Sequence, residues 1–143
     1  MAVELTKLRI ITLCMKSNVK MKALADGLGI AAPTFSLRLK NPCFKFAEQY
    51  KMAEVLGCKF CPTITTEDGK EFTGATVNDI FRNILNYKNI TITELSEKIG
   101  MATPNLIERL KRGKYTNTEI EKLAEVLDCK YESWFVYDDG TKI

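Results

Sequence analysis

Thr91-Ile92-Thr93-Glu94-Leu95-Ser96-Glu97-Lys98-Ile99-Gly100-Met101-Ala102-Thr103-Pro104-Asn105-Leu106 is the stretch on which the fold turns. Thr91 precedes Glu94 by three residues, the spacing at which each side chain reaches an otherwise unpaired backbone N–H at the start of a helix. Leu95 and Ile99 then share one face, and Gly100, a residue at ease in the left-handed region, ends the helix. Thr103-Pro104 reads as an N-cap followed by proline at the first helical position, where a missing N–H costs nothing. Leu106 and Leu110 line one face of the helix that follows, which ends near Gly113.

Outward from this pair the pattern continues in both directions. Upstream, Val77, Ile80, Phe81, Ile84 and Leu85 recur at helical spacing and predict a helix over 77–89. Downstream, Ile120, Leu123, Ala124 and Leu127 predict another over 118–128, with the charged residues between them as its solvated face. From Tyr131 the period changes to two, with Tyr131, Ser133, Phe135 and Tyr137 alternating with Glu132, Trp134 and Val136 before the turn pair Asp139-Gly140.

Shifted by 71 positions, the sequence aligns with itself. Residues 10–72 lie over 81–143 without a gap, and 18 of the 63 pairs are identical, too many for chance. Ala53-Glu54-Val55-Leu56-Gly57-Cys58-Lys59 matches Ala124-Glu125-Val126-Leu127-Asp128-Cys129-Lys130, Arg38-Leu39-Lys40 matches Arg109-Leu110-Lys111, and Asp68-Gly69 matches Asp139-Gly140. The sequence therefore predicts two copies, 1–72 and 73–143, each of helices followed by a strand or hairpin tail, with the boundary between Gly69 and Asn78. Each is near the lower size limit for a self-sufficient core, so the copies are expected to depend on each other across a packed interface.

Two short helices joined by a tight glycine-containing turn make a helix-turn-helix. Both copies resemble the lambda-repressor-like (Cro/XRE) helix-turn-helix family, especially its small bacterial and phage members with a C-terminal β extension. In the second copy the resemblance rests on Thr91 to Met101, Thr103 to Leu106 and Leu123 to Leu127. In the first it rests on Leu24-Ala25-Asp26-Gly27-Leu28-Gly29-Ile30, Pro33-Thr34-Phe35 and Met52 to Leu56. The implied fold is mostly α with a small β part: two tandem lambda-repressor-like repeats.

The resemblance also implies that the third helix of each copy enters the major groove and that the second helix touches phosphate at its N-terminus. The base-reading candidates are then Ala32, Thr34, Ser36 and Leu37 in the first copy and Thr103, Asn105, Ile107 and Glu108 in the second. Neither set is rich in the Arg, Gln and Asn that make bidentate contacts with guanine and adenine. Where the family commonly carries glutamine near the start of these helices, this chain has Met21, Ile92, Ala32 and Thr103. Phosphate-contact candidates are Lys16, Lys20, Lys22, Lys40 and Lys45, and then Lys111, Arg112 and Lys114 around Gly113. Arg38 and Arg109 are equivalent and adjoin core leucines; both a structural role, holding an acidic residue, and DNA contact are open to them. The simplest reading of the aromatic strand is that it packs on its own helices or pairs with the first copy's tail; its large side chains on both faces also leave open that one face is buried against the other copy or a second chain, with Trp134, Phe135 and Tyr137 as interface candidates.

Charge is divided unevenly. Of the net +3, residues 1–72 carry 11 basic and 7 acidic side chains and residues 73–143 carry 10 and 11, so the first copy is the expected better phosphate binder. The chain has no histidine, which removes the commonest general base and most catalytic zinc sites; no enzyme, cofactor or metal is expected. Cys58-Lys59-Phe60-Cys61 has CxxC spacing, but the aligned second copy has Glu132 where Cys61 stands, so a small apolar core role is the simpler reading. Five cysteines and no leader or membrane-spanning run predict a reducing, cytoplasmic setting. The resulting expectation is a DNA-binding transcriptional regulator of phage or mobile-element type, its partners double-stranded DNA and a second chain dimerising through the β tails. The alternative is a protein-protein interaction module, a phage-type inhibitor or adaptor that retains the helix-turn-helix fold and uses Leu37, Ile107 and the aromatic tail.

Overall fold

Local chemistry sets where the helices begin. The hydroxyls of Thr6, Thr76, Thr91 and Thr116 each accept the backbone N–H three residues on, at 3.1–3.3 Å. Each cap of this kind contributes about 1 kcal/mol. In a computed structural model that describes residues 5–41, 43–74 and 76–143, these and related signals produce eight helices and three strands among the described residues. In chain order they are α1 (Lys7–Ser17), α2 (Met21–Gly27), α3 (Ala32–Lys40), α4 (Phe46–Leu56), β1 (Lys59–Thr65), β2 (Glu71–Phe72), α5 (Val77–Lys88), α6 (Ile92–Ile99), α7 (Thr103–Arg112), α8 (Asn117–Val126) and β3 (Lys130–Val136). The protein is thus mostly helical with a small antiparallel sheet. Residues 1–4, on which part of the leader reading rests, lie outside the described residues. No helix among those described is long and apolar enough to cross a membrane.

Two helix starts differ from the sequence reading. Ala102, not Thr103, is the N-cap of α7, because Thr103 is already helical and its hydroxyl is engaged with α6. The cap of α8 is Thr116, paired reciprocally with Glu119, so that helix starts one residue early, at Asn117, and ends at Val126.

The sheet runs β2-β1-β3 with antiparallel pairing throughout. Lys59 faces Val136, Thr65 faces Lys130, and at the centre Pro62 faces Ser133. A second, isolated bridge joins Lys45 to Thr116. Pro62 and Ser133, like Lys45 and Thr116, are positions that the 71-residue shift aligns.

One hydrophobic core passes through both halves of the chain. At its centre Phe60 lies 5.4 Å from Phe46 and 5.1 Å from Phe135, while Phe46 lies 5.8 Å from Tyr131 (ring centroids). Phe135, an interface candidate from the sequence, is therefore buried within the chain against β1. Trp134 points to the opposite, half-exposed face of the sheet, where its Nε1 donates to Glu132 at 3.4 Å. Tyr137 is half-buried, its hydroxyl 2.7 Å from Ser17 Oγ and donating to the Leu13 carbonyl.

Within this apolar core sits a fully buried polar contact. The side-chain amides of Gln49 on α4 and Asn117 on α8 face each other and exchange two hydrogen bonds of 3.0 Å. Gln49 also donates to the Phe44 carbonyl, and the Tyr131 hydroxyl donates to Asn117 Oδ1 at 2.8 Å. Three elements from different parts of the chain thus satisfy each other away from water.

The leading helix of each half reaches the strand tail of the other. Arg9 of α1 donates to the Ser133 and Ile143 carbonyls, and Lys16 pairs with Asp139 at 2.5 Å. On α5, Tyr87 donates to Asp68 and stacks edge-on against Phe72, with Lys88 near Glu67 at 3.4 Å.

The joint between α3 and α4 is clamped by Arg38, which makes a two-pronged contact with Glu48 at 2.7 and 2.8 Å and lies over the Phe44 ring. Arg109, Glu119 and Tyr115 repeat this arrangement between α7 and α8, with a 3.0 Å ion pair. Both arginines therefore hold the joint between the third and fourth helix of their half. Burial by itself would push the Glu48 carboxyl up. The Arg38 hydrogen bonds, the Lys45 backbone N–H and the Arg38 charge more than offset that and hold it below the usual range.

Two measurements check these contacts. Asn117→Leu leaves the Gln49 amide buried without its main partner and is expected to cost roughly 2–3 kcal/mol in denaturant unfolding, whereas the triple variant Gln49→Met, Asn117→Leu, Tyr131→Phe removes all three polar side chains of the network and recovers much of the loss. A carboxyl held low in the folded state contributes stability above its unfolded pKa, lost as pH falls. Unfolding free energy should therefore decline as pH drops through about 4.3 and below, less steeply in Arg38→Met, where Glu48 titrates nearer its ordinary value.

Candidate nucleic-acid interface

In each half two short helices cross at a tight turn, α2 with α3 and α6 with α7. Gly100 ends α6 at φ 71°, in the left-handed region where a side chain would be strained. Ser96 donates to the Thr93 carbonyl, which leaves its oxygen to accept from Thr103 at 2.7 Å. This hydroxyl pair ties α7 to α6 across the turn. The aligned positions in the first half are Ala25 and Ala32, so α2 and α3 meet without it.

The outward surface of α7 is built from its own periodicity. Leu106 and Leu110 are buried, Asn105, Glu108 and Lys111 are exposed, and Thr103 and Ile107 are half-buried. Glu108 is joined to Arg112 one turn on by a 2.5 Å ion pair. On α3, Phe35 and Leu39 are buried, and Ala32, Thr34, Ser36, Leu37 and Lys40 are exposed. All eight base-reading candidates thus lie on α3 and α7; the Thr103 hydroxyl is engaged at the turn, and Glu108 makes a solvent-exposed pair with Arg112.

The basic candidates separate in the same way. Among the described residues Lys16 and Arg112 carry carboxylate partners and Lys45 stands close enough to Glu48 to help hold that carboxyl low, while Lys20, Lys22, Lys40, Lys111 and Lys114 are exposed and carry none. The Lys45–Thr116 bridge draws together the turn after α3 and the turn after α7. Beside it the Ala47 N–H donates to the Gly113 carbonyl at 3.2 Å, and a Cβ built on Gly113 would stand 3.2 Å from that nitrogen, at φ 62°. Gly113 is thus needed both for its conformation and for this close approach. Lys45 from one half, and Lys111, Arg112 and Lys114 from the other, therefore flank a single seam, with Lys40 at the end of α3 five residues before Lys45.

The sequence reading did not single out Arg82. It lines a surface groove of about 320 Å³ with Asn86, Asn89, Thr91 and Ile92, where α5 turns into α6. Arg82 is exposed and has no carboxylate partner among the described residues. Its signal in the sequence was faint: an arginine on the polar face of an amphipathic helix, one element ahead of the motif. The aligned corner between α1 and α2 holds a groove of about 280 Å³, lined by Ile11, Cys14, Met15, Val19, Lys20 and Met21 among others.

Among the described residues no group of three or more Cys, Asp or Glu side chains is placed to hold a metal ion, and Cys58 and Cys61 carry free thiols. No curated protein and no solved structure matches the chain. Residues 81–139, which run from α5 through β3 and contain the α6–α7 pair, match the family model of the Cro/C1-type HTH DNA-binding domain.

Proposed function

We propose that the protein is a DNA-binding regulator of phage or mobile-element type, made of two tandem Cro-type units over residues 1–72 and 73–143, with α3 and α7 as the helices that enter the major groove. The observation that carries this reading is the match of residues 81–139 to the Cro/C1-type HTH DNA-binding domain. Its extension to the first half is supported by the gapless 71-residue alignment and by the two central pairings, Pro62 with Ser133 and Lys45 with Thr116. A residue that meets its own counterpart while the flanking strands run in opposite directions marks a local twofold axis. DNA-binding proteins of this class use such an axis to present two helices to successive major grooves.

In this reading the seam of Lys45, Lys111 and Lys114 lies on the axis and, with Lys40 at the end of α3, neutralises phosphates between the two grooves. Lys20 and Lys22 at the start of α2, and Arg82 with Asn86 at the α5–α6 corner, grip the backbone farther out. The reading surfaces differ, with Ser36 and Leu37 on α3 where α7 has Ile107 and Glu108, so a single chain would select an asymmetric site.

Binding to random duplex DNA across a salt series, followed by selection of preferred sites, tests the proposal. Affinity should fall steeply with salt, and Lys40→Glu combined with Lys111→Glu should weaken binding to all sequences alike. Arg82→Gln should reduce the slope of log affinity against log salt by about 1. Absence of binding at low salt would overturn the function. Undiminished binding by the Lys40, Lys111 double variant would overturn the surface.

A further inference from the structure

The outer face of α1 has a composition that the fold does not require. Leu8, Ile11 and Met15 follow at i, i+3 and i+7 and so share one side of the helix, opposite the buried Ile10, Leu13 and Cys14. Leu8 and Met15 are 73% and 77% exposed, the highest values of any large apolar side chain among the described residues. The aligned positions on α5 are Asp79, Arg82 and Asn86, so the same helix in the same place can be polar on this side. The stripe opens into the groove at the α1–α2 corner, where Ile11, Cys14, Met15, Val19 and Met21 leave room for an inserted apolar side chain. Two methionines there give walls that adapt in shape.

The border of this surface is basic. Lys7 stands one turn before Ile11, Lys20 lines the groove, and Lys22 follows Met21 at the start of α2. All three are exposed and have no carboxylate partner among the described residues, and neither α1 nor α2 carries an acidic residue in its first turn. An apolar stripe one helix long, with a groove at one end and a border on which Lys7, Lys20 and Lys22 outnumber the single carboxylate of Asp26, fits an amphipathic helix seated lengthwise. The charge selects among occupants. A second copy of this face would set lysine against lysine, and DNA phosphate would meet the lysines but leave Leu8, Ile11 and Met15 with no apolar surface to cover.

We infer that the α1 face formed by Leu8, Ile11, Met15 and the Met21 groove is a docking site for an amphipathic helix of another protein with an apolar seam and acidic flanks. Lys20 and Lys22 are shared with the phosphate-contacting set, so this partner and DNA would compete for them.

The test uses the full chain and, as probe, a synthetic helical peptide with leucines at i, i+3 and i+7 and glutamates on both flanks, followed by fluorescence anisotropy. Saturable binding is expected, at least about tenfold tighter than for the same peptide with lysine flanks. Met15→Glu, with folding checked by circular dichroism, should abolish it. Lys7→Glu, Lys20→Glu and Lys22→Glu together should transfer the preference to the lysine-flanked peptide. No saturation at about millimolar peptide, indifference to flank charge, or binding unchanged by Met15→Glu would each overturn the proposal. So would sedimentation showing a dimer that Leu8→Glu converts to monomer, which would assign the face to a second copy. Loss of duplex binding in Leu8→Glu and Met15→Glu without any peptide binding would assign it to DNA instead.

Discussion

The arrangement of the two halves depends on the amide pair between Gln49 and Asn117. Aromatic and aliphatic packing draws α4, α8, β1 and β3 together, but apolar contact is non-directional and tolerates sliding. Two side-chain amides exchanging hydrogen bonds in a dry core do not tolerate it, because a small shift breaks both bonds where no water can replace them. The Tyr131 hydroxyl adds β3 to the same point. The contact is also asymmetric. Gln49 aligns with Ile120, Asn117 with Phe46 and Tyr131 with Phe60, so pairing either half with a copy of itself would bury an amide against a hydrocarbon side chain. The network therefore favours the pairing of unlike halves found within one chain.

Around that fixed point, the same backbone positions carry different chemistry. The corner between the first and second helix of each half is a groove in both cases, polar where Arg82, Asn86 and Thr91 line it and apolar where Ile11, Met15 and Met21 do. The turn between the second and third helix is tied by Ser96 and Thr103 on one side and has alanines on the other. The net charge difference between the halves is thus one sign of a wider division, in which aligned surface positions carry different chemistry.

Much of this was legible in the sequence. Thr91 with Glu94, Gly100 and the leucines of α7 marked the two helices and their turn, because caps and periodicity act within a few residues. Where the reading missed, a longer-range contact competed with the local one. Thr103 has the form of an N-cap, but its hydroxyl is taken by Ser96 on the preceding helix, and Ala102 occupies the cap position. For Arg38 and Arg109 the structural role became visible only when the fold brought Glu48 and Glu119, ten residues on in each case, within reach. Arg82 was hidden because its relevance comes from the groove that α5 and α6 form together. Gln49 and Asn117 read as surface amides of amphipathic helices, although the 71-residue alignment sets them over the apolar Ile120 and Phe46.

The sequence by itself determined which local elements form and in what order, with most helix ends to within a residue or two, together with the alternating tails and the 71-residue correspondence, all of which depend on side chains acting on their own backbone or on a periodic face. Only the tertiary structure decided how the halves meet. Whether the tails pair with each other, which side Phe135 faces, and which lysines are left without a carboxylate depend on groups more than a hundred residues apart in some cases, such as Arg9 and Ser133. No local propensity encodes such contacts, because a side chain's partner is set by the burial of the whole core and the need to satisfy every polar group enclosed within it.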